Sequence, residues 1–518
     1  MDSAGGINIS FLYISSRGDD MDIKKVLGSY AVNGLPDGLE ITGLAVDSRE
    51  VKEGDLFFAI SGAHTDGHLY IADAISRGAR AIVTETCAPD MGTSRLPFIK
   101  VDDIQAALAS CATAFYSNPS AGLEVVGVTG TNGKTTTTYL LESIWKTAGR
   151  KNGVIGTINY RVDGEVLRNA VNTTPHALTL QKLFANMRDH GCSSALMEIS
   201  SHSLSLKRVD GILFDCAVFM NLTRDHLDFH LTQDEYFLAK LKLFEMLGSP
   251  KNPKKNRLAV INGDDPRASK VRAALPAGVK VFTFGLGAAN DFRAENINSR
   301  LDGTSFDMVC PAGRFGVELK LWGAYNVFNA LAAAACAFGR GIKTDDIIAG
   351  LAALESVPGR MEAIRAGQDF HVFVDFAHTD SALDTVLSAL SGFPHGKIYT
   401  VFGCGGERDR TKRGPMGVVV TARSSHAFIT ADNPRRESLE QIFADIEAGL
   451  KAAGRINYSI IADRTEAVRQ AVEAARKGDI VLLAGKGHET VQRLSAGVIP
   501  YNDSQTAAAM IKEKLASK

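Results

Sequence analysis

The fold of this 518-residue chain is decided by a glycine-rich stretch, GVTGTNGKTT, at residues 127–136. The apolar run Leu123–Val126 before it is typical of a buried strand, and the segment Thr137–Trp145 after it is typical of a helix. Backbone N–H groups of such a turn, together with the positive end of the next helix, favour bound phosphate. The pattern predicts a phosphate-binding loop, in which Lys134 reaches the terminal phosphates and the Thr135 hydroxyl binds Mg²⁺.

The loop is a variant of the usual phosphate-binding spacing G-x-x-x-x-G-K-T. Counted back from Gly133, the first glycine should stand at Val128, and Gly127 comes one residue too early. An ordinary glycine-rich turn before a helix is the alternative interpretation. The strand, the loop, the Lys-Thr pair and the helix occur together, which favours the nucleotide interpretation.

The composition excludes several classes of protein. The chain is 45% hydrophobic and 22% charged with a net charge of −1, which is ordinary for a globular domain and gives no basic surface for nucleic acid. Its seven cysteines form no C-x-x-C pair, which predicts reduced thiols and a cytoplasmic location. No apolar run is long enough to span a bilayer, so we expect no membrane insertion.

Strand-like and helical segments alternate along the chain, which predicts an α/β fold with mostly parallel sheets. We expect a loose leader at 1–21, a small α/β domain at 22–122, a central nucleotide domain at 123–357 and a doubly wound α/β domain at 358–518. Pro119–Gly122 is a predicted linker, and Val357–Arg360 is a predicted boundary. The lysine-rich loop 249–256 is predicted to be solvated.

Polar residues follow the predicted strands of the central domain. Glu198 ends one strand, and a carboxylate beside a phosphate loop favours Mg²⁺. The segment Asn221–Asp228, which includes His226, follows another strand, although a capped loop would look the same. Lys240 lies on an amphipathic helix, where periodicity alone predicts a surface lysine.

Three polar loops, at 403–410, 432–435 and 485–489, follow strand-like runs of the last domain. Each alone could be a solvated turn. Function is expected at the carboxyl ends of parallel strands, so together these loops predict one pocket. Arginine in it suits a carboxylate and acidic side chains suit an ammonium, which indicates a zwitterionic ligand.

With these motifs in order, the chain from about residue 40 to its end resembles the Mur ligase family, and within it the MurE type. The resemblance rests on the phosphate loop, the three polar loops, and the segments Asp47–Arg49, Asn172–Pro175, Glu198–His202, Asn221–Asp228, Gly323–Asn329, Pro358–Glu362 and Asp375–Thr379. It implies three domains: an N-terminal domain that binds UDP, a central ATPase, and a C-terminal domain that binds the amino acid. Phe376, Asp380, Glu407 and Leu206 depart from the commoner family pattern.

The resemblance also implies roles for individual residues. The ATP-binding residues would be Gly130, Thr131, Asn132, Gly133, Lys134, Thr135, Thr136, Asn326, Asn329, Arg360 and Asp375. The UDP-muramoyl-peptide would contact Ser48, Asn172, Thr173, Thr174, Ser200 and Arg208. Thr135, Glu198, His226 and Lys240 would surround Mg²⁺, with Lys240 as a carbamate, and Lys134, Glu198, His226 and Lys240 would be catalytic. The amino-acid pocket would contain Arg408, Asp432, Asn433, Pro434, Arg435, Gly485 and Glu489.

The implied reaction is the ATP-dependent addition of meso-diaminopimelate to UDP-N-acetylmuramoyl-L-alanyl-D-glutamate, by a monomer in the cytoplasm. Arg435 favours diaminopimelate, because its guanidinium can pair with the second carboxylate of that amino acid and would repel the side-chain ammonium of lysine. Addition of L-lysine or another diamino acid is the nearest alternative. A folylpolyglutamate-type ligase is more distant because those enzymes lack the Ser48 domain, and a nucleotide-gated binding protein is a further alternative.

Overall fold

A computed structural model describes residues 20–31, 35–62, 65–86, 96–223 and 225–517, except for the side chains of 227 and 228. The predicted leader, 1–21, lies outside these ranges except for its last two residues. The chain divides into two compact units. The larger holds the residues up to Glu295 together with Met308–Phe315 and Phe328–Leu351, and the smaller holds Asn296–Asp307, Gly316–Val327 and the chain from Ala352 onward.

The N-terminal part of the larger unit contains a four-stranded parallel sheet, ordered β3-β4-β5-β6. Its apolar strands pack against helix α3, whose inward face is rich in alanine. Short 3₁₀ turns lie at Gly28–Tyr30, Ser48–Glu50, Gly67–Tyr70 and Pro119–Ala121. The elements are β1 (Met21–Asp22), α1 (Ile23–Leu27), β2 (Glu40–Ile41), β3 (Gly43–Ala45), β4 (Asp55–Phe58), α2 (Ile71–Ser76), β5 (Ala81–Thr84), β6 (Phe98–Lys100) and α3 (Ile104–Phe115).

The central sheet has eleven strands, ordered β10-β9-β8-β11-β7-β12-β13-β14-β15-β16-β17. The strands from β8 through β11, β7, β12, β13 and β14 to β15 pair in parallel. The elements are β7 (Glu124–Thr129), α4 (Lys134–Thr147), β8 (Asn152–Ile155), β9 (Asn159–Val162), β10 (Glu165–Asn169), α5 (Ala177–Asp189), β11 (Ser194–Glu198), α6 (Ser201–Ser205), β12 (Cys216–Phe219), α7 (Leu227–His230), α8 (Gln233–Gly248), β13 (Leu258–Asn262), α9 (Ala268–Ala273), β14 (Lys280–Gly285), β15 (Phe292–Arg300), β16 (Gly303–Cys310), β17 (Gly313–Leu319), α10 (Ala324–Gly339) and α11 (Thr344–Ala353).

Strand β7 lies between β11 and β12 in the middle of this sheet, and its residues are almost all buried. Burial on both faces is typical of parallel strands covered by helices, and it explains why β7 reads as a continuous apolar run. Gly127 allows close packing there, because an added Cβ would meet the ring of Phe214 at 2.9 Å. The glycine-rich loop thus leaves a rigid strand at the carboxyl edge of the sheet.

The smaller unit contains a six-stranded sheet, ordered β18-β19-β23-β20-β21-β22. All its neighbours pair in parallel except β18 and β19. The elements are β18 (Glu362–Ala363), β19 (His371–Asp375), α12 (Asp380–Ser391), β20 (Ile398–Phe402), α13 (Arg413–Arg423), β21 (His426–Ile429), α14 (Leu439–Ala452), β22 (Tyr458–Ile460), α15 (Arg464–Ala474), β23 (Ile480–Ala484), β24 (Val491–Leu494), β25 (Gly497–Pro500) and α16 (Asp503–Ala516). The last hairpin, β24–β25, is antiparallel.

The predicted α/β fold with mostly parallel sheets is confirmed, and the corrections are local. Helix α4 begins at Lys134 rather than Thr137, because Gly133 is already its N-cap. Within the predicted linker, Pro119–Ala121 forms a 3₁₀ turn in which Pro119 and Ser120 are buried and the Ser120 hydroxyl accepts a hydrogen bond from the Leu213 N–H at 3.2 Å. The domain boundaries at 122 and 357 stay predictions.

The lysine-rich loop at 249–256 is not simply solvated, contrary to the prediction. Asn252 is buried and donates to the Phe214 carbonyl at 2.8 Å. The Lys254 ammonium lies 3.0 Å from the Asp215 carboxylate and donates to the Leu123 carbonyl at 2.6 Å. A lysine in a charged loop turns inward when a buried acceptor lies beside it. Here the Leu123 carbonyl, just before β7, is that acceptor for Lys254.

None of the helices in the described ranges has the length and apolar character needed to cross a bilayer.

Candidate active site

The phosphate loop lies between the end of β7 and the start of α4. Gly130 and Gly133 have φ of 151° and 88°, which are conformations that side chains other than glycine rarely adopt. At Gly133 an added Cβ would also overlap the amide oxygen of Asn329, which α10 brings against the loop. Thr135 and Thr136 are buried in the first turn of α4. The loop is therefore shaped by two glycines and supported by one of the predicted nucleotide residues.

The segment after β12 holds the loop by paired hydrogen bonds. The Thr131 N–H donates to the Asn221 carbonyl at 3.0 Å, and the Asn132 N–H donates to the Asn221 side-chain oxygen at 2.9 Å. The Thr223 N–H donates to the Thr131 hydroxyl at 3.0 Å. This bracing fixes the position of the loop, and it takes up the N–H groups of Thr131 and Asn132.

Glu198 joins the phosphate loop to the segment after β8. Its buried carboxylate accepts from the Thr135 hydroxyl at 2.9 Å, and from the N–H and the hydroxyl of Thr157 at 2.8 Å each. In the part of the chain that the structure describes, no three His, Cys, Asp or Glu side chains are grouped as a metal site. The partners of Glu198 are hydroxyl and amide groups, and one of them is the predicted Mg²⁺ ligand Thr135.

Most of the predicted muramoyl-peptide residues lie around the same carboxylate. The Thr157 hydroxyl lies 3.1 Å from that of Thr173. The Thr174 hydroxyl donates to the backbone carbonyl of Glu198 at 2.8 Å and accepts from the Ser200 N–H at 3.0 Å. Arg208 donates to the Thr174 carbonyl at 3.1 Å.

Asn172 and Ser48 complete the predicted muramoyl-peptide set. The Asn172 carbonyl accepts from the Tyr160 hydroxyl at 2.8 Å, which ties the start of that segment to β9. Ser48 lies in the N-terminal four-stranded part, buried in a 3₁₀ turn capped by Asp47. A hydrogen bond from Ser48, with the Arg77 guanidinium, holds the pKa of Asp73 below its usual value.

Lys240 is not a surface lysine, contrary to the prediction from periodicity. Its side chain is buried, its ammonium donates to the Gly130 carbonyl at 2.9 Å, and its Nζ lies 4.5 Å from the centre of the Tyr236 ring. Lys134 donates to the same carbonyl at 2.8 Å. Burial, and then the charge of Lys134, place the pKa of Lys240 well below its ordinary value. Periodicity gave no sign of this, because helical spacing does not report what packs against a face.

His226 lies beside two histidines that the sequence did not single out. The rings of His202 and His226 meet edge to face with centres 5.0 Å apart, and His202 also lies 5.5 Å from His230. His230 is buried, with its Nε2 at 2.8 Å from the Ser201 hydroxyl. His226 Nε2 lies 3.6 Å from the Asp225 carboxylate. The cluster could not be found from spacing, because His202 lies on a different element.

In the smaller unit, the predicted nucleotide residues Arg360 and Asp375 lie just before β18 and at the end of β19. Asp375 ends β19, and its carboxylate accepts from the N–H groups of Met361 and Ala377 at 2.8 Å each. Burial raises the pKa of Asp375 above its usual value. The guanidinium of Arg360 lies 5.2 Å from the ring centre of Phe376. Asn326 is buried at the start of α10, where its amide donates to the Trp322 carbonyl at 2.9 Å.

The three polar loops follow neighbouring strands, β23, β20 and β21, and meet at one sheet edge as predicted. The Asn433 amide donates to the Glu489 carboxylate at 2.7 Å. The Gly406 N–H donates to the Asn433 carbonyl at 2.9 Å, and the Arg435 guanidinium donates to the Gly406 carbonyl at 2.7 Å. These bonds place the pocket residues of all three loops within direct reach of one another.

The remaining predicted pocket residues divide into inner and outer ones. The Pro434 carbonyl accepts from the Glu437 N–H at 3.1 Å, and Gly485 has a φ of 105° at the end of β23. Arg408, in contrast, is exposed and lines an open groove with Arg410 and Glu437.

Lys486 is a pocket residue that the sequence did not identify. Its side chain is fully buried, and its ammonium donates to the Glu489 carboxylate at 2.7 Å and lies 3.7 Å from that of Asp432. Burial disfavours ionisation of Glu489, but Lys486 outweighs it and the pKa of Glu489 lies below its usual value. Burial raises the pKa of Asp432 despite the opposing charge of Lys486. The pocket thus contains a buried cation between two acids, beside the Arg435 loop.

Comparisons with known proteins agree with this arrangement. Family models match in succession at residues 40–116 (Mur ligase family, catalytic domain), 128–337 (Mur ligase middle domain) and 359–487 (Mur ligase, glutamate ligase domain). The chain is 42% identical over 475 residues to a protein of Geobacillus thermodenitrificans named UDP-N-acetylmuramoyl-L-alanyl-D-glutamate–2,6-diaminopimelate ligase, covering 92% of this chain and 96% of the relative.

Solved structures show the same similarity. A structure titled as a UDP-N-acetylmuramoyl-L-alanyl-D-glutamate–2,6-diaminopimelate ligase is 30% identical, with a TM-score of 0.68 over 96% of this chain and all of that one. The MurF ligase of Thermotoga maritima in complex with ADP, 22% identical, shares the fold with a TM-score of 0.61 over 93% of this chain and all of that one. The phosphate loop, the three-loop pocket and these matches along nearly the whole chain have one explanation: this α/β protein belongs to the Mur ligase family.

Proposed function

We propose that this chain is an ATP-dependent ligase that adds meso-2,6-diaminopimelate to UDP-N-acetylmuramoyl-L-alanyl-D-glutamate, a step of peptidoglycan precursor synthesis in the cytoplasm. The observation that carries the proposal is the pocket at the edge of β23, β20 and β21, where Arg435 lies beside the acids Asp432 and Glu489. The names of the relatives support the same substrates.

The chemistry explains why ATP is needed. A carboxylate is a poor electrophile, so the D-glutamate side-chain carboxylate first takes the γ-phosphoryl group of ATP and forms an acyl phosphate, with release of ADP. An amine of diaminopimelate then attacks the acyl carbon, and phosphate leaves as the amide forms. The carboxylate must lie in line with the γ-phosphate for the first step.

The phosphate loop is proposed to hold the ATP phosphates through its N–H groups, with Lys134 against the developing charge. Thr135 and Glu198 present a hydroxyl and a carboxylate close together, and such oxygen donors fit Mg²⁺. His226 is the third proposed neighbour of the ion. When bound, Mg²⁺ would neutralise charge on the phosphoryl oxygens. Asn326, Arg360 and Asp375 stay predicted nucleotide contacts.

Lys240 is proposed to react with carbon dioxide to give a carbamate. The reaction requires an unprotonated amine, and burial beside Lys134 lowers the pKa of Lys240 in that direction. The product is an anion with two oxygens, which would reverse the charge beside the Gly130 carbonyl and supply oxygen donors for a cation.

The amino-acid pocket favours diaminopimelate over L-lysine on charge. Arg435 already donates to the Gly406 carbonyl through one nitrogen, and its remaining N–H groups can pair with a distal carboxylate. Lysine would place an ammonium there instead. Asp432 and Glu489 are proposed to receive the ammonium of the ligand, with Lys486 limiting their combined negative charge. Ser48, Asn172, Thr173, Thr174, Ser200 and Arg208 are proposed to bind the UDP-muramoyl-peptide.

The test is a product assay on the purified chain. Wild type is incubated with UDP-N-acetylmuramoyl-L-alanyl-D-glutamate, ATP, Mg²⁺ and either meso-diaminopimelate or L-lysine, and the product mass is measured. We expect a tripeptide product with diaminopimelate, and none from a Lys134→Ala variant that keeps its circular dichroism spectrum. Product with lysine alone would contradict the substrate assignment. ATP hydrolysis without a new amide would favour a nucleotide-gated binding protein.

A further inference from the structure

Arg413, the first residue of α13, is completely buried and binds both walls of the amino-acid pocket. Its guanidinium donates to the two carboxylate oxygens of Glu437 at 2.7 and 2.8 Å. It also donates to the Asp445 carboxylate at 2.8 Å and to the Gly405 carbonyl at 3.2 Å. Gly405 belongs to the loop after β20, and Glu437 directly follows the loop after β21.

The two loops are joined closely along this contact. The Glu407 N–H donates to the Glu437 carboxylate at 2.9 Å, and the Gly406 N–H donates to the Asn433 carbonyl at 2.9 Å. A Cβ at Gly406 would overlap the Pro434 carbonyl, so the backbones touch. The distance between the loop after β20 and the loop after β21 is therefore set by backbone contact on one side and by the Arg413 guanidinium on the other.

The conformation of Arg435 depends on this spacing. Its φ is 54°, a left-handed conformation that costs energy for a residue with a side chain, and Glu407 opposite has a φ of 55°. The Arg435 guanidinium is held by the Gly406 carbonyl, next to the carbonyl that Arg413 binds. Strained backbone of this kind persists only where surrounding contacts impose it.

We propose that Arg413 is a positioning residue for amino-acid selection: by fixing the loops after β20 and β21 against each other, it aims the Arg435 guanidinium at the distal carboxylate of the substrate. The inference rests on the proposed function, because it assigns the origin of selectivity within that pocket. A planar guanidinium with five N–H donors suits the role, whereas a lysine ammonium cannot bind Glu437 through two parallel hydrogen bonds. Removing one partner of a buried ion pair usually destabilises the fold, so the test uses lysine, which keeps the positive charge at this position.

The test compares Arg413→Lys with Arg340→Lys in the full chain. Arg340 is a matched control, because it also binds a carboxylate, that of Glu124 at 2.9 Å, and a carbonyl, that of Asn256 at 2.8 Å, but it belongs to the larger unit. For Arg413→Lys we expect the KM for diaminopimelate to rise about tenfold, the size of one lost charge-assisted hydrogen bond. The kcat at saturation and the KM for ATP should stay within about twofold.

Selectivity is the second readout, since a merely structural role would not change it. The ratio of kcat/KM for diaminopimelate over L-lysine should fall in Arg413→Lys and stay constant in Arg340→Lys. Thermal melting shows whether each variant folds. If Arg413→Lys does not fold, the test uses Glu437→Gln, which removes one acceptor oxygen from the same guanidinium. The expected changes in KM and in selectivity are the same.

The outcomes separate this inference from the proposed function. A folded variant with an unchanged diaminopimelate KM and an unchanged ratio overturns the role of Arg413 alone, provided that wild type forms the tripeptide. A general rise in the KM of all substrates does the same, because it indicates a damaged fold rather than a misdirected guanidinium. Wild type that forms no diaminopimelate product overturns the proposed function, and this inference with it.

Discussion

At the scale of single residues, the clearest feature is that Arg435 and its neighbour Arg436 have opposite surroundings. Arg435 donates to a carbonyl of the glycine loop inside the pocket, whereas the Arg436 side chain is 87% exposed and pairs with Glu407 at the surface. The two arginines are adjacent in the sequence and carry the same charge, but only Arg435 lies in the proposed amino-acid pocket. Substituting each in turn is therefore a matched comparison.

For Arg435→Ala we expect the KM for diaminopimelate to rise by about a hundredfold, because a two-point charge-assisted contact to the distal carboxylate is lost. The KM for ATP should be nearly unchanged. Steady-state kinetics with each substrate varied in turn is the measurement. Arg436→Ala is the control and should behave like wild type. An unaltered diaminopimelate KM in Arg435→Ala would remove the specificity argument.

The buried Lys240 gives a second prediction at this scale. Its lowered pKa leaves more unprotonated amine at neutral pH, so wild type prepared with bicarbonate should carry an added mass of carbon dioxide on Lys240. Lys240→Ala should lose activity, and added short carboxylic acids should restore part of it by supplying the missing oxygens. Lys242, which is exposed on the same helix, is the control. Identical activity with and without bicarbonate, and no added mass, would leave carbamylation unsupported.

The residue scale is also where sequence reasoning was weakest. Lys240 and Lys486 are both buried lysines, yet neither helical spacing nor a glycine-rich loop predicts burial of an ammonium. What buries them is tertiary: the phosphate loop covers one, and Asp432 and Glu489 enclose the other. Only the family resemblance pointed to Lys240, and Lys486 was included only as a member of the predicted pocket loop 485–489.

At the scale of elements, the strands were largely predictable. Strands were predicted before the phosphate loop and before the three polar loops, and β7, β20, β21 and β23 lie there, because strands buried on both faces leave an unbroken apolar signal. Helix starts were less predictable. The threonines and lysine that open α4 have no strong helical pattern, and the helix begins there because the loop ends at Gly133.

Gly133→Ala tests how tightly that helix start is specified. Alanine would be strained at a φ of 88° and would overlap Asn329, so we expect the loop to shift, the melting temperature to fall and the kcat/KM for ATP to drop by at least about tenfold. Gly149→Ala is the matched control, since Gly149 has a φ of 69° with open space around it. Gly149→Ala should have the same backbone strain at positive φ, but its kcat/KM for ATP should equal that of wild type. Equal kinetics in the two variants would show that the Asn329 contact is unimportant.

At the scale of the whole molecule, the chain forms two compact units whose boundary runs through β15, β16, β17 and α10. Composition and turn signals placed boundaries at 122 and 357, where Pro and Gly interrupt the pattern. Composition and turn signals could not show that parts of one strand belong to different units. Which unit a residue packs into depends on residues distant in the sequence, so it does not change the local sequence pattern. Unfolding is accordingly expected in more than one step.

Each unit contains a partly buried histidine that should make the molecule sensitive to acid. Burial lowers the pKa of each imidazole from 6.5 to about 4. The positive charge of Lys182 adds to this effect at His176, and that of Arg360 adds to it at His488. Below pH 6.5 the unfolded chain binds protons that the folded chain does not, so stability is lost as the pH falls toward 4, by at most about 3 kcal/mol for each histidine.

Calorimetry between pH 7 and pH 4 checks this prediction. Melting temperatures should fall over that window, and His176→Gln should flatten the dependence of the larger unit only, since His176 caps α5 there as a neutral acceptor. His488→Gln should act on the smaller unit. A pH dependence that neither substitution changes would contradict the assignment to these histidines.

The carboxylate of Glu198 has one further consequence, for the sequence of events in catalysis. A single oxygen, Oε2, serves the hydroxyls of both Thr135 and Thr157, one on the phosphate helix and one on the segment that contacts Thr173. Each hydroxyl occupies one lone pair of that oxygen, so a cation that binds there competes with both donors. Binding of ATP with its cation would then free Thr157 and the segment that contacts Thr173. We therefore expect the substrates to bind in a compulsory order, with ATP first.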